Sequence, residues 1–222
     1  MTARQLAFDL PHREARGRGD FFVSDSNAAA LAAIEGWRDW PGAKLVLVGP
    51  PGAGKSHLAQ VWADLADAAI LDAASLAATD PPAQAGRSVA LEDAHRIAGD
   101  PGAEETAFHL HNLVLAEGGH LLVTATLPPS RWGLALPDLQ SRMEGTTMVA
   151  IDPPDEALLA AMLVKLFADR QIEVTPHLIA YLVARIDRSF TAAGETVARL
   201  DAAGLERGRK VSVDLARDVL RA

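Results

Sequence analysis

The chain has 222 residues, 49% of them hydrophobic, and a net charge of −8. That suffices for one large core, or one plus a small satellite, and the acidic balance argues against DNA binding as the main task, which requires a basic footprint. No apolar run approaches the ~18 residues that span a bilayer, no apolar leader stands at the N-terminus, and the absence of cysteine excludes disulfides and thiolate metal sites and fits a cytoplasmic chain.

Residues 1–20 read as a flexible arm, with Gly17 and Gly19 interleaved with Arg16 and Arg18 and no periodicity. Its basic residues are read as a solvated tail. Within it lies Gln5-Leu6-Ala7-Phe8-Asp9-Leu10. Bulky apolar groups in a polar arm fit either a short peptide that docks in a partner's pocket or a segment that packs back on its own protein.

Phe22-Val23 leads to Ser24-Asp25-Ser26-Asn27, four residues of N-cap type ahead of a predicted alanine-rich helix over 28–37. Lys44-Leu45-Val46-Leu47-Val48 then reads as a buried strand. It runs into Gly49-Pro50-Pro51-Gly52-Ala53-Gly54-Lys55-Ser56, which fits the P-loop pattern G-x-x-x-x-G-K-[ST]. A helix beginning at Ser56-His57 is expected next. Glycines let the backbone wrap a phosphate closely, and successive N–H groups and a helix N-terminus then face the anion. Gly49, Pro50, Gly52, Ala53, Gly54, Lys55, Ser56 and His57 are therefore candidate nucleotide contacts. Lys55 is expected to reach the β- and γ-phosphates and Ser56 to ligate Mg²⁺.

Residues 69–71 form a brief second strand, and 79–87 a loop with Pro81, Pro82 and Gly86. Val89-Ala90-Leu91-Glu92-Asp93 is an apolar strand ending in carboxylates, the Walker B half of a P-loop site. Glu92 is the expected metal-side carboxylate and Asp93 the one that orients water, although the reverse arrangement, with Asp93 facing the metal, stays open. A helix over 104–117 carries His109 and His111. They are two apart, so they do not face the same way and make no metal site.

His120-Leu121-Leu122-Val123-Thr124 is a fourth strand, with Thr126 at its end. Thr126 touches either the γ-phosphate or its water, or else satisfies its own backbone. A short helical turn at 139–143 and a fifth strand at 148–151 follow. Five short strands with intervening helices predict a parallel sheet. Asp152-Pro153-Pro154-Asp155 breaks the pattern, so we expect an α/β base over 21–152 and a helical lid over 153–222. In the lid, Asp155, Thr175-Pro176, Ser189 and Ser212 are predicted helix starts and Gly208 a stop.

A P-loop α/β domain followed by a small helical lid resembles the AAA+ layout. Phe22-Val23 with Ser26-Asn27, Thr124-Ala125-Thr126-Leu127-Pro128-Pro129, and Leu139-Gln140-Ser141-Arg142 are similar, in that order, to the first-helix, sensor 1 and arginine-finger segments of the DnaA-related proteins. The short length and the Gln5–Leu10 arm resemble the Hda family of replication-initiation regulators. That resemblance implies docking of Gln5, Leu6, Phe8 and Leu10 on the β sliding clamp. It also implies stimulation of ATP hydrolysis by DnaA, with Arg142 as a finger in trans, and so inhibition of initiation. Phe22 and Val23 join the nucleotide contacts on the same basis, and Asp93 and Thr126 the catalytic ones.

The chain departs from the family at Glu92-Asp93, at Thr126, where Asp is common, and at Thr191, where a sensor 2 arginine is usual. Arg188 is the candidate replacement. Weak or no intrinsic turnover is therefore expected, with ADP or ATP and Mg²⁺ bound. The alternative is an AAA+ ATPase or loader whose own hydrolysis remodels a replication partner. No DNA-binding helix-turn-helix is expected, nor direct sequence-specific DNA binding, nor a membrane; a homodimer through the nucleotide face stays open.

Overall fold

The computed structural model describes residues 22–221; Gln5, Leu6, Phe8 and Leu10 lie outside them. The base holds five parallel strands, β1 (Lys44–Val48), β2 (Ala69–Asp72), β3 (Val89–Glu92), β4 (Leu121–Ala125) and β5 (Met148–Ala150), in the order β2-β3-β4-β1-β5. Helices cover both faces, which is why β1, β3 and β4 read as nearly continuous apolar runs. Leu45, Leu47, Ala90 and Leu122 pack with α1 (Ala28–Glu35) and α2 (Lys55–Ala66). Val46, Val89, Leu91, Leu121 and Val123 pack with α3 (Pro101–Ala116). Strand pleat alone sorts neighbours into two cores.

Several boundaries move from their predicted places for local reasons. Helix α1 stops at Gly36 rather than continuing to Trp37, and two 3₁₀ turns, Trp37–Asp39 and Pro41–Ala43, lead into β1. Asn27 stands at its N-cap position but makes no cap bond; its amide instead donates to the Phe22 carbonyl (2.9 Å) and accepts from Ser24 N–H. Helix α3 starts three residues before the predicted 104, because Asp100 accepts from the N–H groups of Gly102 and Ala103 and Pro101 takes the first helical position.

The segment from β4 to β5 contains α4 (Pro137–Glu144). Two buried polar groups of α3 hold it. Glu104, 1% exposed, accepts from the backbone N–H groups of Gly99, Ala135 and Leu136. Burial pushes its carboxyl upward, and those three bonds outweigh the effect and hold it below the usual carboxylate range. His111, 3% exposed, bonds Asn112 through Nδ1 and Lys44 Nζ through Nε2 (3.2 Å). Lys44 also donates to the Arg142 carbonyl (3.1 Å), in the last turn of α4, where a cation suits the helix dipole.

Burial, with the nearby Lys44 and Arg142 cations adding to it, lowers the His111 pKa to about 4. The unfolded chain therefore binds a proton that the folded chain refuses between about pH 6.5 and pH 4. This contribution is complete above pH 6.5 and falls by about 3 kcal/mol on acidification through that window. Urea unfolding at stepped pH should show the decline, and His111→Leu should flatten it; an equal slope in both proteins would refute the assignment.

The lid comprises α5 (Glu156–Asp169), α6 (Pro176–Val183), α7 (Phe190–Arg207) and α8 (Val213–Arg221). It has its own core, including Leu159, Leu163, Phe167, Leu178, Leu182, Val197, Leu200 and Leu215. The side chains of Asp155, Thr175 and Ser189 cap α5, α6 and α7, and Gly208 ends α7 in the left-handed region at φ 57°. No described helix is long and apolar enough to cross a membrane.

Candidate nucleotide site

Parallel sheets bind ligands beyond the carboxyl ends of their strands, where neighbouring crossovers diverge. Here β1 delivers the 49–56 loop, β3 delivers Asp93, and β4 delivers Thr126. The loop geometry explains its glycines. A Cβ on Gly49 would lie 2.4 Å from the Ile151 carbonyl oxygen, just past β5. Gly52 and Gly54 have φ of 71° and 98°, and the start of α7 sits directly on them. Phe190 N–H donates to the Gly52 carbonyl at 2.7 Å. A Cβ on Gly52 would fall 2.6 Å from Ser189 Cβ, and one on Gly54 3.1 Å from the Phe190 ring. Base and lid thus meet at the loop itself.

Between them lies a cavity of about 580 Å³, a size ordinary for small-molecule sites. One side is apolar: Phe22 from the base, with Leu158, Met162, Leu166 and Phe190 from the lid. The other carries Lys55, Ser56, Asp93, His95 and Thr126, with His57, Lys165 and Thr191 also on the wall. Lys55, 6% exposed, donates from Nζ to the carbonyls of Gly49 (2.8 Å) and Pro50 (3.0 Å). Burial lowers its pKa, and the Asp93 and Glu92 carboxylates oppose that shift. Burial likewise lowers the pKa of His57.

The two carboxylates at the β3 end are placed differently. Asp93 lines the cavity and Glu92 does not. Asp93 sits in the left-handed region at φ 53°, a costly conformation for a residue with a Cβ. The buried Thr124 hydroxyl holds it by accepting the Asp93 N–H at 3.0 Å. Glu92 Oε1 is buried with no partner. A hydroxyl, a cavity-wall carboxylate and an unsatisfied carboxylate oxygen are hard donors of the kind Mg²⁺ takes, so Ser56, Asp93 and Glu92 fit the cation. No cluster of three His, Cys, Asp or Glu that could hold a metal unaided occurs among the described residues.

Thr126 does not satisfy its own backbone. Its Oγ1 lies 2.8 Å from His95 Nε2, and its N–H donates to His95 Nδ1 at 3.4 Å. Of the other predicted contacts, Val23 packs into the α1/α2 core, Ala53 is buried, and Gly49 and Pro50 contribute backbone carbonyls to Lys55. Arg188 is not on the cavity wall: its Nη2 pairs with Glu156 Oε1 at 2.6 Å on the surface, and the wall at the α7 start is Phe190 and Thr191. Arg142 lies away from the loop, near the start of β1 through its carbonyl bond to Lys44. Its exposed guanidinium stacks over the Phe108 ring at 5.1 Å.

Leu158, Met162, Leu166, Phe190 and His95 were not anticipated in the cavity. The α5 stripe carried the signal in its width. Leu159, Leu163 and Phe167 fill the lid core, leaving 158, 162 and 166 a four-residue period that turns a second face toward the base.

No known family model matches the sequence. Among solved structures, domain III of the Thermotoga maritima replication initiation protein DnaA superimposes with a TM-score of 0.78 at 17% identity, covering 90% of this chain and 93% of that one. AMPPCP-bound DnaA from Aquifex aeolicus gives 0.68 at 19% identity, covering 84% of this chain and 65% of that one. The RuvB Holliday junction branch migration motor of Thermotoga maritima gives 0.63 at 18% identity, covering 88% of this chain and 66% of that one. The fold is thus the one these proteins share, a parallel α/β base with a helical lid, and this chain covers about two-thirds of the AMPPCP-bound DnaA and RuvB chains.

Proposed function

We propose that this chain is a nucleotide-dependent regulator of replication initiation, acting in the cytoplasm, rather than a turnover enzyme. It holds ADP or ATP with Mg²⁺ between base and lid, docks on the β sliding clamp through Gln5, Leu6, Phe8 and Leu10, and stimulates ATP hydrolysis by DnaA. The apolar side of the cavity suits a purine, and Lys55, Ser56 and the loop N–H groups suit its phosphates. Bound Mg²⁺ would neutralise phosphate charge; Ser56, Asp93 and Glu92 would hold it.

The observation that carries the regulatory reading is the state of Arg142. Its guanidinium is exposed, rests on an aromatic ring and pairs with no carboxylate among the described residues. A guanidinium held ready and unneutralised suits delivery to another protein's phosphates. In its own site the lid offers Phe190 and Thr191 at the α7 start, with Arg188 tied to Glu156, which favours slow turnover.

The clamp is the partner to test first. Full-length protein should be retained by immobilised β clamp, and a variant lacking residues 1–12 should not. Equal retention would remove the docking role from Gln5–Leu10. A steady ATPase rate above about 1 s⁻¹, ordinary for enzymes, would favour an ATPase whose own hydrolysis remodels a partner.

A further inference from the structure

We propose that Lys44 and Thr146 are positioning residues for Arg142, two side-chain donors that fix the backbone from which its guanidinium projects. The inference rests on the reading of Arg142 above and deepens it. Helix α4 has only eight residues, too few to hold its own end against fraying. Leu139 and Met143 are buried on its inner side, and Arg142 stands exposed in the last turn. The last carbonyls of a helix lack partners within it. Here the Gly145 and Thr146 N–H groups donate to the Ser141 and Met143 carbonyls. The Arg142 carbonyl is left to side chains, and it accepts from Thr146 Oγ1 at 2.8 Å and from Lys44 Nζ at 3.1 Å.

Each donor is itself held. Thr146 is buried, and Lys44 Nζ lies 3.2 Å from Nε2 of the buried His111. Lys44 is also the first residue of β1, whose far end enters the 49–56 loop. One strand thus carries the phosphate loop at one end and the anchor of Arg142 at the other. Both donors bond the Arg142 carbonyl, while its guanidinium rests on Phe108. A long exposed side chain is only as well aimed as the Cα from which it springs, and a misplacement of about 1 Å can cost about a hundredfold in rate. Anchoring the peptide rather than the guanidinium leaves the cation unneutralised for a phosphate.

The test is hydrolysis of DnaA-bound ATP, with the clamp present, over a range of concentrations of this protein. Thr146→Val and Lys44→Met should each lower the maximal stimulation about tenfold or more, with the half-saturating concentration within about twofold of wild type. Thr146→Ser should stay within about twofold at the maximum, because it keeps the hydroxyl donor. Clamp retention and binding of ADP with Mg²⁺ should match wild type in every variant. A raised half-saturating concentration would assign the pair to partner docking, and a parallel loss of ADP binding would make the role merely structural. Either result, no recovery with serine, or full stimulation by Thr146→Val or by Lys44→Met would overturn the proposal, even where Arg142→Ala abolishes stimulation. Undiminished stimulation by Arg142→Ala would overturn the reading of Arg142 as well, which separates the two failures.

Discussion

Lys55→Met should reduce affinity for both ADP and AMPPCP by about a hundredfold or more and leave the fold intact. The loss follows from chemistry at two phosphates. Each charge-assisted bond from an ammonium to a phosphate oxygen is worth about 1.5–3 kcal/mol, and two of them amount to at least a hundredfold in Kd. Stability should change little, because two effects oppose each other. Lys55 is nearly buried, and burial already disfavours its charged form, so methionine removes a desolvation cost. The same change leaves the Gly49 and Pro50 carbonyls without their donor; Pro50 is exposed and can turn to water, whereas Gly49 is buried. Thermal unfolding with and without ADP·Mg²⁺ reads both results together, since a ligand raises Tm only if the folded state binds it. A variant that still binds within threefold of wild type would show that the 49–56 loop is a turn and no phosphate cradle.

What could be read from the sequence is what is decided within a few residues. Caps at Asp155, Thr175 and Ser189, the Gly208 stop, and the strand–loop–helix of 44–66 all rest on short-range bonds, and sequence reasoning places them. The sheet order does not follow from such signals, because β1 lies between β4 and β5 through crossovers that carry no local mark. The same holds inside the candidate site. Thr126 stood out from its place at a strand end, yet its partner His95 lies 31 residues away in sequence, and no spacing rule joins them. Arg188 stood out for its charge near the α7 start, yet its exposed partner Glu156 lies 32 residues away in sequence, which no spacing rule signals. The placement of Asp93 likewise depends on a backbone fact that no sequence pattern signals, its left-handed conformation held by Thr124. The support of α4 was the least legible part. Glu104 and His111 look like ordinary helix residues until the loop before α4 and the start of β1 fold against them.

That support bears on the second large effect. Under the proposed function, Arg142→Ala should keep the fold, nucleotide binding and clamp retention, and abolish stimulation of DnaA. An arginine offered across an interface to a transferring γ-phosphoryl group is worth about 10³–10⁵ in rate, so stimulation should fall to background. The change should be nearly silent in stability. Loss of the exposed contact with Phe108 costs about 0.5–1 kcal/mol. Against that, Arg142 is one of the charges that lower the Lys44 pKa, so its removal relieves a like-charge repulsion. Lys44 bonds the Arg142 carbonyl, not its side chain, and α4 therefore stays anchored in the variant. Arg142→Lys separates charge from geometry: lysine keeps the cation but loses the planar fork that grips two phosphate oxygens, and it should recover little of the rate. Hydrolysis of DnaA-bound ATP in the presence of the clamp is the measurement. Undiminished stimulation by Arg142→Ala would remove the finger role, and full recovery by Arg142→Lys would show that a point charge at the α4 terminus is all the partner requires.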